Sequence, residues 1–390
     1  MADTFCGFER EDGSYGVRNH VAVIPSVFCA AKVAERIAGN VPGCVAFRHP
    51  VGCSQVGNDL ETTARTLIGI GRNPNIAAVL VVGLGCERFT PAELAEGIAS
   101  SGKKLDVVVI QEIGDSIRAV EKGTRIARKM LQAVSRERRR ETPVSHLMIG
   151  LNCGGSDMTS GLVANPALGL ASDRLVSQGG SSILSELTEL VGTQHILARR
   201  GINEKIGKDI KDAIDATEAR LIRQTRESTN ENRRHLISTG NYDGGLSSVV
   251  EKSLGSMKKS GERAKFVEVF ATGAVPKNRG LLLMDGPGHD GEVATGQAAA
   301  GAQIMCFPTG RGTPTGFPGV PVIKITGNPR TFERMVTNLD VNAGEVLLGK
   351  KSLSEMGDII YQEILAVASG KFCKAEQLGH DELFCVTRKP

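Results

Sequence analysis

The sequence contains no tryptophan, and aromatic residues make up only 4% of it. That scarcity argues against an aromatic-rich β sandwich. No apolar run approaches the roughly 18 residues that a bilayer-spanning helix needs, so no membrane partner is expected. The opening MADTFCGFERED is polar and lacks the charged-then-apolar pattern of a secretory leader. The nine cysteines include no CxxC pair, so neither a ribbon-type zinc site nor a ferredoxin-type cluster has its usual signature. Their odd number and unpaired spacing point to reduced thiols in a cytoplasmic protein. A P-loop is absent, and GLGCE after an apolar run is not GxGxxG, which leaves nucleotide binding unsupported. Charge of one sign is also missing: 47 basic residues face 43 acidic ones, for a net +4. That balance excludes nucleic acid as an expected partner. The one basic cluster, Arg136, Arg138, Arg139 and Arg140, reads as a helix end, where cations complement the dipole.

What is present is glycine, 47 of 390 residues, and an alternation of short β-branched runs with helical stretches. Strands are predicted at 20–25, 77–82, 105–110, 146–150, 280–284, 303–307 and 320–325. Helices are predicted at 30–38, 59–70, 91–100 and 124–140. The alternation implies an α/β fold of two Rossmann-like layered units, with mainly parallel sheets covered by helices. An N-terminal unit is placed at 1–142, with RRRETP as linker, and a C-terminal catalytic unit at 143–390. Asn165-Pro166 reads as an N-cap followed by proline at the first helical position, and Gly179-Gly180 as that helix's end. Residues 203–235 are heavily charged and read as a solvated or subunit-bridging helix.

In open parallel sheets, ligands bind beyond the carboxyl ends of the strands. The predicted strand ends here carry thiols repeatedly: Cys29, Cys86 with Glu87, Cys153 and Cys306. A separate loop holds His49 and Cys53. Thiolates and imidazoles suit iron or zinc, although each cysteine taken alone is better read as a small buried hydrophobe. The run SELTELVGTQH predicts Glu186, Glu189 and Thr193 on one helical side, followed by His195. The long loop at 307–324 carries Arg311, suited to gripping a carboxylate, and Lys324.

Several stretches together decide between these readings. They are GFEREDGSYGVRN (7–19), His49 to Cys53, NPN followed by VLVVGLGCE (73–87), LNCGGSDMTSGLVANPALGLASDRLVSQGG from 151, and TGRG (309–312). This set resembles the altronate/galactarate dehydratase family over nearly the whole chain. The resemblance implies an iron-dependent enzyme of layered α/β build that dehydrates sugar acids to 2-keto-3-deoxy acids, with Fe2+ as the expected metal and Mn2+ as the other candidate. It places His49, Cys53, Cys86 and Cys153 near the metal. Glu186, His195, Asp157 and Arg311 fall to catalysis, and Asn19, Ser156, Ser160, Asn165, Thr309 and Lys324 to substrate binding. Stand-alone large subunits of this family, as in sulfolactate sulfo-lyases, work with a separate small β-rich subunit. Such a partner, together with a homo-oligomer, is therefore expected. Two departures stand out: HPVGCS replaces the more usual HGxGCG, and SELTELVGTQH carries Gln194 where glutamate is common. A sulfo-lyase large subunit is the alternative within the class, and a non-catalytic binding subunit the alternative outside it.

Overall fold

The computed structural model describes residues 3–225 and 237–387. Among the described residues, fourteen strands form three sheets. The small antiparallel sheet has the order β2-β1-β7, from β1 (Thr4–Glu9), β2 (Tyr15–Gly16) and β7 (Arg140–Pro143). A four-stranded parallel sheet has the order β4-β3-β5-β6, from β3 (His20–Pro25), β4 (Cys44–Ala46), β5 (Ile76–Gly83) and β6 (Lys104–Val109). The third sheet is parallel throughout, with seven strands in the order β10-β11-β9-β8-β12-β13-β14. Its members are β8 (Met148–Leu151), β9 (Ser181–Leu184), β10 (Phe266–Ala271), β11 (Leu281–Asp285), β12 (Ile304–Pro308), β13 (Val322–Thr326) and β14 (Val341–Asn342).

These are the sheets of a mainly parallel α/β protein. In β5, IAAVLVVG is buried at every position, as expected of a parallel strand covered on both faces. Each predicted strand is present, with ends that agree to within two residues. The short or edge strands β1, β2, β4 and β14 were not expected, nor were β9 and β10. SSIL is a short run beside glycines, and FVEVFA carries a glutamate, so neither offers a long apolar signal. RETP, expected as a linker, is β7; it pairs Thr4–Gly7 of β1 edge to edge.

Three further expectations are corrected. The helix over Ser116–Val134 stops before the arginine cluster. Arg139 instead donates to the carbonyls of Cys6, Val17 and Ala368, and Arg140 pairs with Glu9. Asn165 is not an N-cap, because the chain already winds as a π-helical turn over Ser160–Ala164. Its amide donates to Gly255 O, from inside the helical run. The charged stretch is helical over Glu204–Thr225 with exposed Lys205–Asp209, Lys208–Asp212 and Lys211–Asp215 pairs; residues 226–235 of the expected helix lie outside the described residues.

Two of the resembling motifs clasp the fold. Asn73 donates to Ala298 O and Ala302 O, and Asn75 to Gln303 O and Gly319 O, joining the four-stranded sheet's surroundings to those of the seven-stranded one. Arg10 and Arg18 are buried among backbone carbonyls and Glu137 or Glu376. Asn19, expected on the substrate, accepts from Arg10 and donates to Val134 O, so its amide is engaged in this clasp.

Candidate functional site

In the seven-stranded sheet, β8 lies between β9 and β12, and the chain leaves it in both directions. This is the topological switch point, where loops beyond the strand ends part to form a crevice. The loop 152–157 after β8, the turn 185–190 after β9, the loop 286–289 after β11 and TGRG after β12 all meet there. Arg311 N donates to Gly155 O and Gly310 N to the same oxygen, which binds TGRG to the CGGSD loop.

At the centre is Cys153, with no exposed surface. Its Sγ donates to Glu189 Oε2 at 2.9 Å and lies 3.4 Å from Ser256 Oγ. Glu186 accepts from Cys153 N at 3.2 Å. Two lysines complete the group. Lys259 Nζ is 2.9 Å from Cys153 Sγ and pairs with Glu186. Lys252 Nζ is 3.2 Å from Cys153 Sγ, 2.7 Å from Glu189 Oε2 and 2.7 Å from Ser156 Oγ. Two ammonium groups, two carboxylates and one thiol sum to zero charge, which is how so many ionisable groups share a buried site.

The local structure differs from the expected helical face. Glu186 has φ +66, a left-handed conformation uncommon for a residue with a side chain. It opens a short 3-10 turn, Leu187–Glu189. The turn, not an α-helix, brings both carboxylates to Cys153. His195 sits on the following short helix, Gln194–Ala198, and is exposed, outside the cluster. The lysines come from one surface of the helix Val249–Met257 and the turn after it. Positions 252, 256 and 259 follow the i, i+4, i+7 spacing of a single face. The spacing is present in KSLGSMKKS, but lysine is normally solvated, so the sequence alone does not mark these lysines as buried.

Burial sets the proton affinities. Cys153 is pushed up to about 11, first by burial and then by the nearby Glu186 and Glu189 charges, so the thiol is protonated at neutral pH. Burial also raises Glu186, with the adjacent lysines acting against it. Burial works to raise Glu189 as well, but Lys252 and Lys259 outweigh it and hold that carboxyl low. For both lysines burial lowers the affinity, and the negative neighbours more than reverse it, so both stay charged.

Among the described residues, one group of three or more His, Cys, Asp or Glu side chains has its ligand atoms within 4.8 Å of one another: Cys153, Glu186 and Glu189. A thiolate and two carboxylates suit a borderline divalent ion. His49, Cys53 and Cys86 lie outside that group. His49 Nε2 donates to Pro25 O, whereas Cys53 and Cys86 are exposed on the four-stranded sheet's side, as is Cys29. Cys306 is buried inside β12.

Beside the cluster is a cavity of about 450 Å³, lined by Ser156, Asp157, Ser160, Asn165 and Lys252 together with apolar Met158, Leu162 and Leu254. It gathers three of the expected substrate residues. Asn165 Oδ1 is buried without a hydrogen-bond partner among the described residues, as are both amide atoms of Asn152. Asp157 accepts from Thr159, Ser160 and Asn328, which fixes the loop. The remaining expected residues are engaged elsewhere. Thr309 Oγ1 accepts from Gly312 N, Lys324 Nζ donates to Pro314 O and Thr315 O, and Arg311 bonds Gly240 O and Asp243. Lys324 thereby pins the 307–324 loop.

Comparison with known proteins covers both halves. The family described as D-galactarate dehydratase/Altronate hydrolase, second domain, matches residues 7–135, and D-galactarate/Altronate dehydratase, C-terminal, matches residues 144–390. The chain is 37% identical over 385 residues to the (2R)-sulfolactate sulfo-lyase subunit beta of Chromohalobacter salexigens, covering 99% of this chain and 97% of that one. It is 36% identical to the altronate dehydratase of Bacillus subtilis, covering 97% of this chain and 77% of the relative. To the galactarate dehydratase (L-threo-forming) of Escherichia coli it is 37% identical, over 94% and 73% respectively.

Proposed function

Because the chain belongs to the D-galactarate/altronate dehydratase family, we propose that it is a carbon–oxygen lyase that dehydrates a sugar acid of the altronate or galactarate kind. The observation that carries this reading is the buried Cys153–Lys252–Lys259–Glu186–Glu189 group, which meets the neighbouring cavity through Lys252 and Ser156.

Dehydrating a 2,3-dihydroxy acid requires removal of a weakly acidic proton beside a carboxylate. The charge of the resulting enediolate must be stabilised, and hydroxide must leave the neighbouring carbon. Lys252 and Lys259 are fixed ammonium groups in a water-poor site, where such charge is best stabilised. Glu186 takes the α-proton. Ser156, Ser160 and Asn165 hold substrate hydroxyls, with the unpartnered Asn165 Oδ1 as an open acceptor. The enol product tautomerises to the 2-keto-3-deoxy acid. Cys153 and Glu189 would hold a divalent metal such as Fe2+ or Mn2+, which when bound would supply Lewis-acid stabilisation of the substrate carboxylate and hydroxyl.

A second reading is supported by the relative named as a sulfo-lyase subunit beta, aligned over 97% of its length. There sulfite is expelled after the same α-deprotonation, and a small β-rich subunit is the partner. Protein purified anaerobically with Fe2+ should be assayed against D-altronate, D-galactarate and sulfolactate, with and without such a subunit. Formation of 2-keto-3-deoxy acid supports dehydration, whereas release of sulfite with pyruvate moves the assignment to the second reading. No turnover of any of the three would remove both.

A further inference from the structure

A second cavity, of about 420 Å³, lies at the amino edges of both parallel sheets, the edge opposite the Cys153 crevice. On its wall Met148 and Ser181 open β8 and β9, the loop 275–279 leads into β11, and Gln303 precedes β12. The four-stranded side supplies Arg72 and Asn73 ahead of β5, and Ser100 and Ser101 ahead of β6. Asn73 is also the clasp to Ala298 O and Ala302 O, so the cavity sits at the junction of the two sheets' surroundings. Ligand cavities favour such junctions.

Its walls carry positive charge that the chain leaves unanswered. Arg72 ends the helix Gly57–Arg72, and its Nε donates to Gly97 O. Arg279 donates to Ser145 O, and Lys277 Nζ makes no hydrogen bond among the described residues. None of the three has an ion pair among the described residues. The one carboxylate among the lining residues, Asp12, accepts from Ser14 N and Ser14 Oγ within its own turn. Glu268, which does not line the cavity, accepts from Lys277 N at 2.9 Å, Asn278 N at 2.8 Å and Asn278 Nδ2 at 3.0 Å. Those bonds fix the loop that carries Lys277 and Arg279. His146 adds an independent sign of a missing partner: it lines the cavity, and its Nδ1 is buried with no hydrogen bond among the described residues. Burial, then the Arg279 charge, lowers its pKa, so the ring is neutral at pH 7.

We propose that this cavity binds the phosphate group of a small polyhydroxylated phosphate ester, at a site separate from the crevice of the reaction. The inference goes beyond the lyase reading and does not depend on it. Planar guanidinium groups suit phosphate oxygens, and Lys277 adds a compact point charge. A dianion offsets most of the charge of Arg72, Lys277 and Arg279, which repel one another while the cavity is empty. Phosphate by itself is far smaller than the cavity. Ser14, Ser100 and Ser101 offer hydroxyls of the kind that sugar hydroxyls pair with, on the wall facing the loop 275–279 from the other sheet's side.

The test is equilibrium binding to the full chain by isothermal titration calorimetry, with the thermal midpoint as a second readout. Ionic strength is held constant, because salt screens exposed cations. The probes are D-ribose 5-phosphate, inorganic phosphate, D-ribose and citrate. D-ribose 5-phosphate should bind at one site per chain and raise the midpoint, about tenfold more tightly than inorganic phosphate, and D-ribose should not bind. Lys277→Ala with Arg279→Ala should weaken the ester by about 10 to 100-fold, as expected for losing charged hydrogen bonds. Equal affinity for the ester and inorganic phosphate keeps the phosphate site and makes the free ion its occupant. Citrate bound as tightly as the ester overturns the proposal, as does an affinity unchanged in the double variant or no saturable binding of either phosphate. If the double variant does not fold, Lys277→Ala alone decides, since that exposed side chain makes no hydrogen bond among the described residues. No turnover enters these measurements, so failure of this site and failure of the lyase reading are told apart.

Discussion

Lys259 Nζ lies 2.9 Å from Cys153 Sγ, and neither residue has any surface exposed to solvent. An ammonium ion with no water survives only where its charge is answered, here by Glu186. Removing one partner of such a pair costs about 3–5 kcal/mol, because the other charge is left buried and uncompensated. Lys259→Met should therefore lower the urea midpoint strongly, and Lys259→Met with Glu186→Gln should recover a good part of the loss. A single variant as stable as wild type would show that the pair is solvated.

The cysteines should divide sharply by reactivity. The Cys153 thiol is raised to about 11 and fully buried, whereas Cys6, Cys29, Cys53 and Cys86 are exposed. The thiolate is the reactive form. Treatment of native protein with N-ethylmaleimide at pH 7.5, read by peptide mass spectrometry, should mark the exposed four and spare Cys153. Labelling of Cys153 as fast as Cys53 would refute the buried, protonated thiol.

Metal loading should be linked to pH. The five-group cluster is neutral with its thiol protonated, so a dication bound through Cys153 must displace that proton. Affinity for Co2+, used as a spectroscopic probe, should rise about tenfold per pH unit across neutrality, with a thiolate charge-transfer band that Cys153→Ala lacks. Affinity independent of pH would exclude Cys153 as a ligand.

His49 should make the fold acid-sensitive. Its imidazole is 3% exposed, and burial lowers its pKa from the ordinary histidine value to about 4. The unfolded chain therefore binds a proton that the folded one refuses between pH 6.5 and 4. Stability from this group is complete above the unfolded value and is lost as pH falls, amounting to roughly 3 kcal/mol by the lower end. Denaturant titrations across that window should show a shallower decline for His49→Gln than for wild type. Parallel curves would mean that the ring is hydrated.

Much of the scaffold was legible because parallel strands covered on both faces are continuous apolar runs, as IAAVLVVG in β5 shows. What escaped was short or edge-like: SSIL in β9, and RETP, whose pairing with β1 depends on a partner more than 130 residues away. At the site, Cys153 is legible as a strand-end thiol, and Glu186 and Glu189 as the carboxylates of SELTELVGTQH. The sequence does not show that φ +66 at Glu186 turns both carboxylates inward while leaving His195 in solvent. Lys252 and Lys259 carry no such signal in the sequence, because an isolated lysine is favoured in water. Only countercharges from elsewhere in the chain make its burial tolerable.

The α/β layering and the strand-end position of Cys153 follow from local sequence alone, because periodicity and strand-to-helix punctuation are local properties. Tertiary structure decided which strand ends share a crevice: β8, β9 and β11 converge with the helix Val249–Met257, while the loop bearing His49 and Cys53 belongs to another sheet. It also decided the charge state of the site. Proton affinities depend on burial and on neighbours distant in sequence, so the neutral balance of two lysines, two glutamates and one thiol exists only in the folded chain.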